Sequence, residues 1–333
     1  MTTTFLLEAP IALVPVIAFF LTLLYFDSYG LISPSEVAQT MTAGLALGVA
    51  AYFVNGALLA HVNIEFTSYS RFIAPIVEES LKAAALIWLF ARNRIGFMID
   101  AAIMGFAIGT GFAVFENVYY LYIFTDANFG MWIIRGFGTA IMHGGVTAIF
   151  AVLSQAFIER RGDLNPVYFL PGFLAAGAIH TIYNQFASNP LLATVVILVG
   201  LPPLFLLIFS KSERSVSRWL VNDYKSRQRL LDEINNGQFL QSETGRFMMS
   251  LSKKFDQSVV DDLFAYLKLH TQLLLRSEQV SLTPGRGDNF VVRIEDKEDV
   301  ARLNALRKKI GSTAFKALWP HLRFSRRELW QIH

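Results

Sequence analysis

The chain has 333 residues, 53% of them hydrophobic, with a mean hydropathy of +0.42, which excludes an ordinary soluble globule. Residues 1–210 carry 7 Lys/Arg and 11 Asp/Glu, whereas residues 211–333 carry 22 and 15, so a slightly acidic apolar part precedes a basic polar part of net +7. There is no cysteine, which excludes disulfides, thiolate catalysis and Cys-ligated zinc.

A bilayer core takes about 20 apolar residues per helix. The hydropathy pattern predicts seven such spans, at 6–26, 38–60, 72–91, 97–124, 131–158, 166–187 and 191–210. The first, within MTTTFLLEAPIALVPVIAFFLTLLYF, lacks a basic leader and a small-residue cleavage site, so it reads as a retained span. The expected fold is therefore an all-α polytopic membrane protein, with a transmembrane domain over 1–210 and a mainly helical cytoplasmic domain over 211–333.

Orientation follows from the basic loops. Arg92 and Arg94 follow the third span, Arg160 and Arg161 the fifth, and Lys211, Arg214 and Arg218 the seventh. Seven crossings put all three clusters on one side, which reads as the cytoplasm, with the N-terminus outside. Arg71 and Arg135 fall on the other side. Gly105 and Gly109 form a Gly-xxx-Gly, the pattern of closely packed helices.

In the polar part, VVDDLFAYLKLHTQLLL (259–275) has helical spacing, and EDKEDVARLNALRKKI (295–310) runs from acidic to basic as a helix dipole prefers. NFVVRI (289–294) reads as a short strand, and GRGD (285–288) as a turn. Charge spread over helices with interleaved acids argues against nucleic-acid binding. A basic tail of this kind suits anionic lipid or a cytoplasmic regulator.

Ionisable groups inside spans cost several kcal/mol unless paired or hydrated, so each is a functional hypothesis. The third span has Glu78, Glu79 and Lys82, the fourth Glu116 and Asn117, the fifth His143, and the sixth His180 and Asn184. At about 1.5 Å per residue, Glu78, Glu79, Glu116 and His180 lie roughly 9–12 Å below the outer boundary, and His143 roughly 18 Å. Acids and imidazoles from several helices thus converge on one layer. Glu78 and Lys82 are i,i+4 and are expected to pair; Glu79 points about 100° away. His180 and Asn184 also share a face. Glu8 and Asp100 lie near span ends and are expected to reach water; Asn55, Tyr119, Tyr120 and Tyr183 read as interhelical hydrogen bonders.

Such a set can hydrolyse a peptide bond in two ways. A carboxylate in an apolar surround is a strong base for water, with His180 and Asn184 donating to the developing oxyanion. Alternatively, zinc can be held by candidates Glu79, Glu116, His143 and His180. In the first case Glu79 is the expected base, Glu78 held by Lys82 positions it, and Glu116 and His143 complete the site. The residues alone leave the choice open. A non-catalytic scaffold and a proton-coupled transporter are the rival readings; the second would want an inverted repeat, and none is visible.

EESLK (78–82) fits EExxK, FENVYY (115–120) fits FENxxY, His143 stands alone one span later, and HTIYN (180–184) fits HxxxD/N. In this order, over roughly residues 70–190, the chain resembles the PrsW family of membrane proteases. That family is related to type II CAAX prenyl endopeptidases and to the APH subunit of gamma-secretase. The resemblance implies a first cut in a membrane-anchored protein, such as an anti-sigma factor, on the extracytoplasmic side. It carries the paired glutamates onto Glu78 and Glu79, the second-motif acid onto Glu116 and the histidines onto His143 and His180. It leaves the cofactor as none or zinc. Asn184 stands where some members have Asp, and FENVYY lacks the histidine of the prenyl proteases, which argues against a prenylated substrate.

Overall fold

A computed structural model describes residues 3–25, 27, 32–124, 128–185, 189–281 and 294–318. Among these there are helices and no strand. The longer ones, in chain order, are α1 (Thr3–Tyr25), α2 (Pro34–His61), α3 (Ala74–Ala91), α4 (Met98–Ile123), α5 (Ala140–Arg161), α6 (Leu170–Gln185), α7 (Pro190–Asn235), α8 (Glu243–Leu251), α9 (Gln257–Ser281) and α10 (Ile294–Leu318). Two compact units divide within α7, after Glu213.

Among the described residues five helices are long and apolar enough to cross a membrane: Leu7–Tyr25, Pro34–His61, Met98–Ile123, Phe129–Arg161 and Pro190–Ser212. The other two expected spans also form helices, α3 and α6, but α3 holds three ionisable residues and α6 has 16 residues. These two carry the EExxK and HxxxN motifs. In α3 the ionisable residues displace the apolar ones by which a span is recognised.

The central pair is α4 and α5, buried over 83% and 78% of their apolar windows, against 17–33% for the other three candidate spans. Leu21, Phe53, Val196, Val199 and Leu207 project outward from the surrounding helices, as lipid-facing side chains do. The Gly-xxx-Gly sits on this central contact. A Cβ at Gly105 would come within 2.8 Å of Ala148 Cα, and one at Gly109 would meet the His143 carbonyl and Gly144 Cα. Only glycine lets α4 approach α5 there. Gly109→Val should therefore lower thermal stability in detergent by about 1–3 kcal/mol through overpacking. It should also depress activity beyond its effect on folded yield, because the displaced turn carries His143.

Two π-helical segments, Tyr69–Ile73 and Ile134–Thr139, lead into α3 and α5. Such i→i+5 turns break the regular carbonyl pairing of the helix and concentrate at functional sites. The helix start at α4 corrects one expectation. Asp100 does not reach water: it is fully buried and accepts from the Gly96 and Phe97 N–H groups at 3.0 and 2.8 Å. It caps a helix that begins inside the protein, where unmade backbone bonds would be costly. Glu8 is also buried, at 8% exposure.

The second unit has its own core, with Phe239, Met248, Leu263, Tyr266, Leu267, Ile310 and Phe315 among its members. Both expected tail helices are present, as α9 and α10, the latter kinked at Gly311 with φ 77°. The expected strand (289–294), apart from Ile294 at the start of α10, and GRGD lie outside the described residues. On α9, His270 stacks on Tyr266 with ring centres 5.7 Å apart. Burial, helped by the Arg227 charge, lowers its pKa to about 4. The unfolded chain then binds the proton more tightly, so this contribution to stability is full above about pH 6.5 and is lost as pH falls towards 4. Hydrogen-exchange protection of α9 in the full chain should fall over that window by on the order of 2 kcal/mol, and His270→Gln should flatten the dependence.

Candidate active site

Glu78 and Glu79 are neighbours on α3, so their side chains leave the helix about 100° apart and enter different surroundings. Glu79 turns towards α5 and α6. Its Oε1 lies 2.7 Å from Lys82 Nζ and 2.8 Å from His180 Nδ1, and it is 2% exposed. Lys82 is fully buried; its ammonium also lies 3.0 Å from His143 Nδ1 and 4.3 Å from the centre of the Phe112 ring. The expected Glu78–Lys82 pair is thereby corrected to Glu79–Lys82. Spacings i,i+3 and i,i+4 both permit a contact, and the interior partners of Lys82 draw it to the Glu79 side.

Glu78 turns towards α2. Asn55 Nδ2 donates to its Oε1 over 3.4 Å, and its Oε2 lies 3.9 Å from His180 Nε2. Asn55 in turn accepts from Tyr69 Oη at 2.9 Å. Sequence reasoning placed Asn55 among the interhelical hydrogen bonders and missed that its partner is the site carboxylate. Its position was a usable signal, since five residues before the end of its span put it roughly 8 Å deep, in the same layer.

Glu116 on α4 bonds His143 Nε2 through Oε2 at 3.0 Å, and the same oxygen lies 3.3 Å from Arg135. Arg135 also donates from Nε to Asn117 Oδ1 at 3.0 Å and lies 3.8 Å from the centre of the Tyr120 ring. Asn117 donates onward to the Ala12 carbonyl at 2.7 Å, tying α1 to the site. Arg135, read from sequence as a loop charge, is therefore a site residue. It lies within the π-helical turn that leads into α5. The greater depth expected for His143 does not keep it apart: its ring lies 4.8 Å from that of His180, edge to face.

Asn184 is bound differently from the others. Its amide donates to the Ser70 carbonyl at 3.1 Å, and Gln185 donates to the Arg71 carbonyl at 3.4 Å. Both carbonyls belong to the π-helical turn before α3, so α6 supplies donors to that irregular turn. A cavity of about 380 Å³, lined by Ser70, Arg71, Thr139, Tyr183 and Asn184, lies one helical turn beyond His180.

One ligand atom each of Glu78, His143 and His180 lie within 4.8 Å of one another. This group differs in its carboxylate from the expected zinc candidates, which set Glu79 and Glu116 beside the two histidines. Glu78 joins the two histidines, while Glu79 and Glu116 each hold one imidazole from behind. Two histidines and a carboxylate, leaving a position open, form a known catalytic zinc donor set, and carboxylates behind ligating histidines are its usual support. Charge supports the fit. Lys82 answers Glu79 and Arg135 answers Glu116. Among the described residues Glu78 contacts an amide and an imidazole but pairs with no Lys or Arg, so the three carboxylates are one paired positive charge short. With His180 Nδ1 donating to Glu79, its Nε2 lone pair points to the Glu78 side. His143 presents its proton at Nε2 to Glu116 and accepts from the Lys82 ammonium at Nδ1, so a metal would take that Nδ1 lone pair in place of Lys82.

The PrsW-protease profile, described as PrsW family intramembrane metalloprotease, matches residues 34–208, and so covers every residue of this cluster. No curated protein and no solved structure matches the chain. A membrane-embedded bundle with an apolar exterior, a buried glutamate–histidine cluster carrying the family's motifs, and a family match over more than half its length together establish that the chain belongs to the PrsW family of intramembrane proteases.

Proposed function

We propose that the chain hydrolyses a peptide bond of a membrane-anchored protein at the Glu78–His143–His180 cluster, on the extracytoplasmic side of a seven-crossing domain. The family resemblance implies an anti-sigma factor as the substrate class. The observation that carries the placement is the single unanswered carboxylate, Glu78, set beside two histidines each already oriented by its own glutamate.

Glu78, His143 and His180 would hold a zinc-class cation, which when bound supplies an activated water. The chain's other residues prepare that set. Glu79 fixes the His180 ring and is itself neutralised by Lys82. Glu116, neutralised by Arg135, fixes the His143 ring. Asn55 orients Glu78. Asn184 and Tyr183 line the cavity one helical turn beyond His180, by which an unwound substrate segment would approach, and the Asn184 amide would serve the scissile carbonyl by exchanging its bond to the Ser70 carbonyl. Apolar packing around α4 and α5 keeps bulk water out. The basic loops support a cytoplasmic tail and an outside N-terminus.

The test compares new N-termini of membrane proteins in cells expressing wild type or Glu78→Gln at matched levels. Extracytoplasmic termini present only with wild type are expected. Identical sets would overturn the reading.

A further inference from the structure

A second cavity, of about 490 Å³, lies far from the glutamate–histidine cluster. Its volume falls within the range of small-ligand pockets, about 300–1,000 Å³. It opens between the N-terminal end of α2 and the C-terminal end of α3, with α4 as its floor. Trp88 is ten residues, about 15 Å along the helix, from Glu78. The peptidase reading makes no use of this cavity.

Its walls are divided by polarity. Ala43, Ala85, Leu89, Met104 and Ile108 make an apolar floor and sides. Arg92 and Arg94 stand at the mouth with Gln39 and Thr40. Glu36 is there too, but both its oxygens are committed: Oε2 accepts from the Ser33 N–H at 3.1 Å, and Oε1 pairs with Arg94 at 3.0 Å. Arg92 is exposed, its guanidinium 5.6 Å from the centre of the Trp88 ring. Trp88 itself is 58% exposed. An exposed tryptophan beside arginines at the end of a membrane helix is the signature of the headgroup layer.

We propose that this cavity is a binding site for an anionic glycerophospholipid. One acyl chain lies in the groove between α2 and α3, and the phosphate sits at the mouth on Arg92, beside the Arg94–Glu36 pair. The groove needs an apolar filling within the bilayer, the mouth carries excess positive charge, and a phospholipid is the molecule that joins these two chemistries across one boundary. The site is independent of the proposed proteolysis.

Native mass spectrometry of the full chain, released from detergent with phosphatidylglycerol or phosphatidylcholine of identical chains, reads this directly. Wild type should retain phosphatidylglycerol about tenfold better. Arg92→Gln, a change at an exposed position, should abolish that preference while leaving the fold intact. Ala43→Phe should fill the groove and reduce retention of both lipids. Glycerol phosphate, which has the headgroup without chains, should not compete. Equal phosphatidylglycerol retention by wild type and Arg92→Gln would overturn the proposal, as would full competition by glycerol phosphate, which would mark a bare anion site.

Discussion

Glu78→Gln should lose cleavage by at least about 10²–10⁴-fold while the chain stays folded. The neighbouring change Glu79→Gln should cost stability as well as activity. The two glutamates are adjacent in sequence and chemically identical, so the difference rests entirely on their partners. Glu79 is buried between Lys82 and His180, and its charge is balanced by the ammonium. Removing that charge leaves Lys82 buried without a counter-ion and frees the His180 ring. Glu78 has no cationic partner among the described residues, only the Asn55 amide and the His180 ring. A glutamine there keeps the hydrogen bond to Asn55 and removes the negative charge that a cation needs. Elemental analysis supplies a readout separate from activity: wild type should carry about one zinc-class ion per chain, and Glu78→Gln much less. Retained metal and retained cleavage in Glu78→Gln would return the role to Glu79.

The helices were legible because 20-residue apolar runs have few other solutions, and the cluster was legible because ionisable residues are rare within such runs. What the sequence could not show was pairing. Lys82 has a glutamate at both permitted spacings, and only the placement of His143 and Phe112 decides between them. Arg135 looked like a topology signal because arginines near span ends usually are, and its partner Glu116 lies on another helix. Asp100 looked solvated because it opens a span, yet it caps backbone groups of the preceding turn. In each case the deciding contact is with a residue whose position the periodicity of one helix does not give. Helix α3 is less apolar than the other expected spans because residues of the site sit in it, and α6 is short, at 16 residues.

Lys82→Met should destabilise the membrane unit by about 3–5 kcal/mol, the cost of leaving a buried charge without its partner. Methionine matches the length and apolar stem of lysine, so packing against Phe112 survives and the loss isolates the charge. The group left behind is Glu79, 2% exposed. Glu79→Gln in the same chain should then recover most of the stability, because the double variant buries two neutral groups in place of an ion pair. A thermal-unfolding double-mutant cycle in detergent measures the coupling, expected to be well above the 0.5 kcal/mol seen for independent sites. Activity should not return with stability. Glutamine at Glu79 can no longer hold His180 as a carboxylate does, and His143 has lost the donor at Nδ1. A folded, inactive double variant would separate the two roles of the Glu79–Lys82 pair, holding α3 in the bundle and orienting both histidines. A double variant as active as wild type would mean that the pair serves folding alone and that the histidines are oriented by Glu116 and the packing around them.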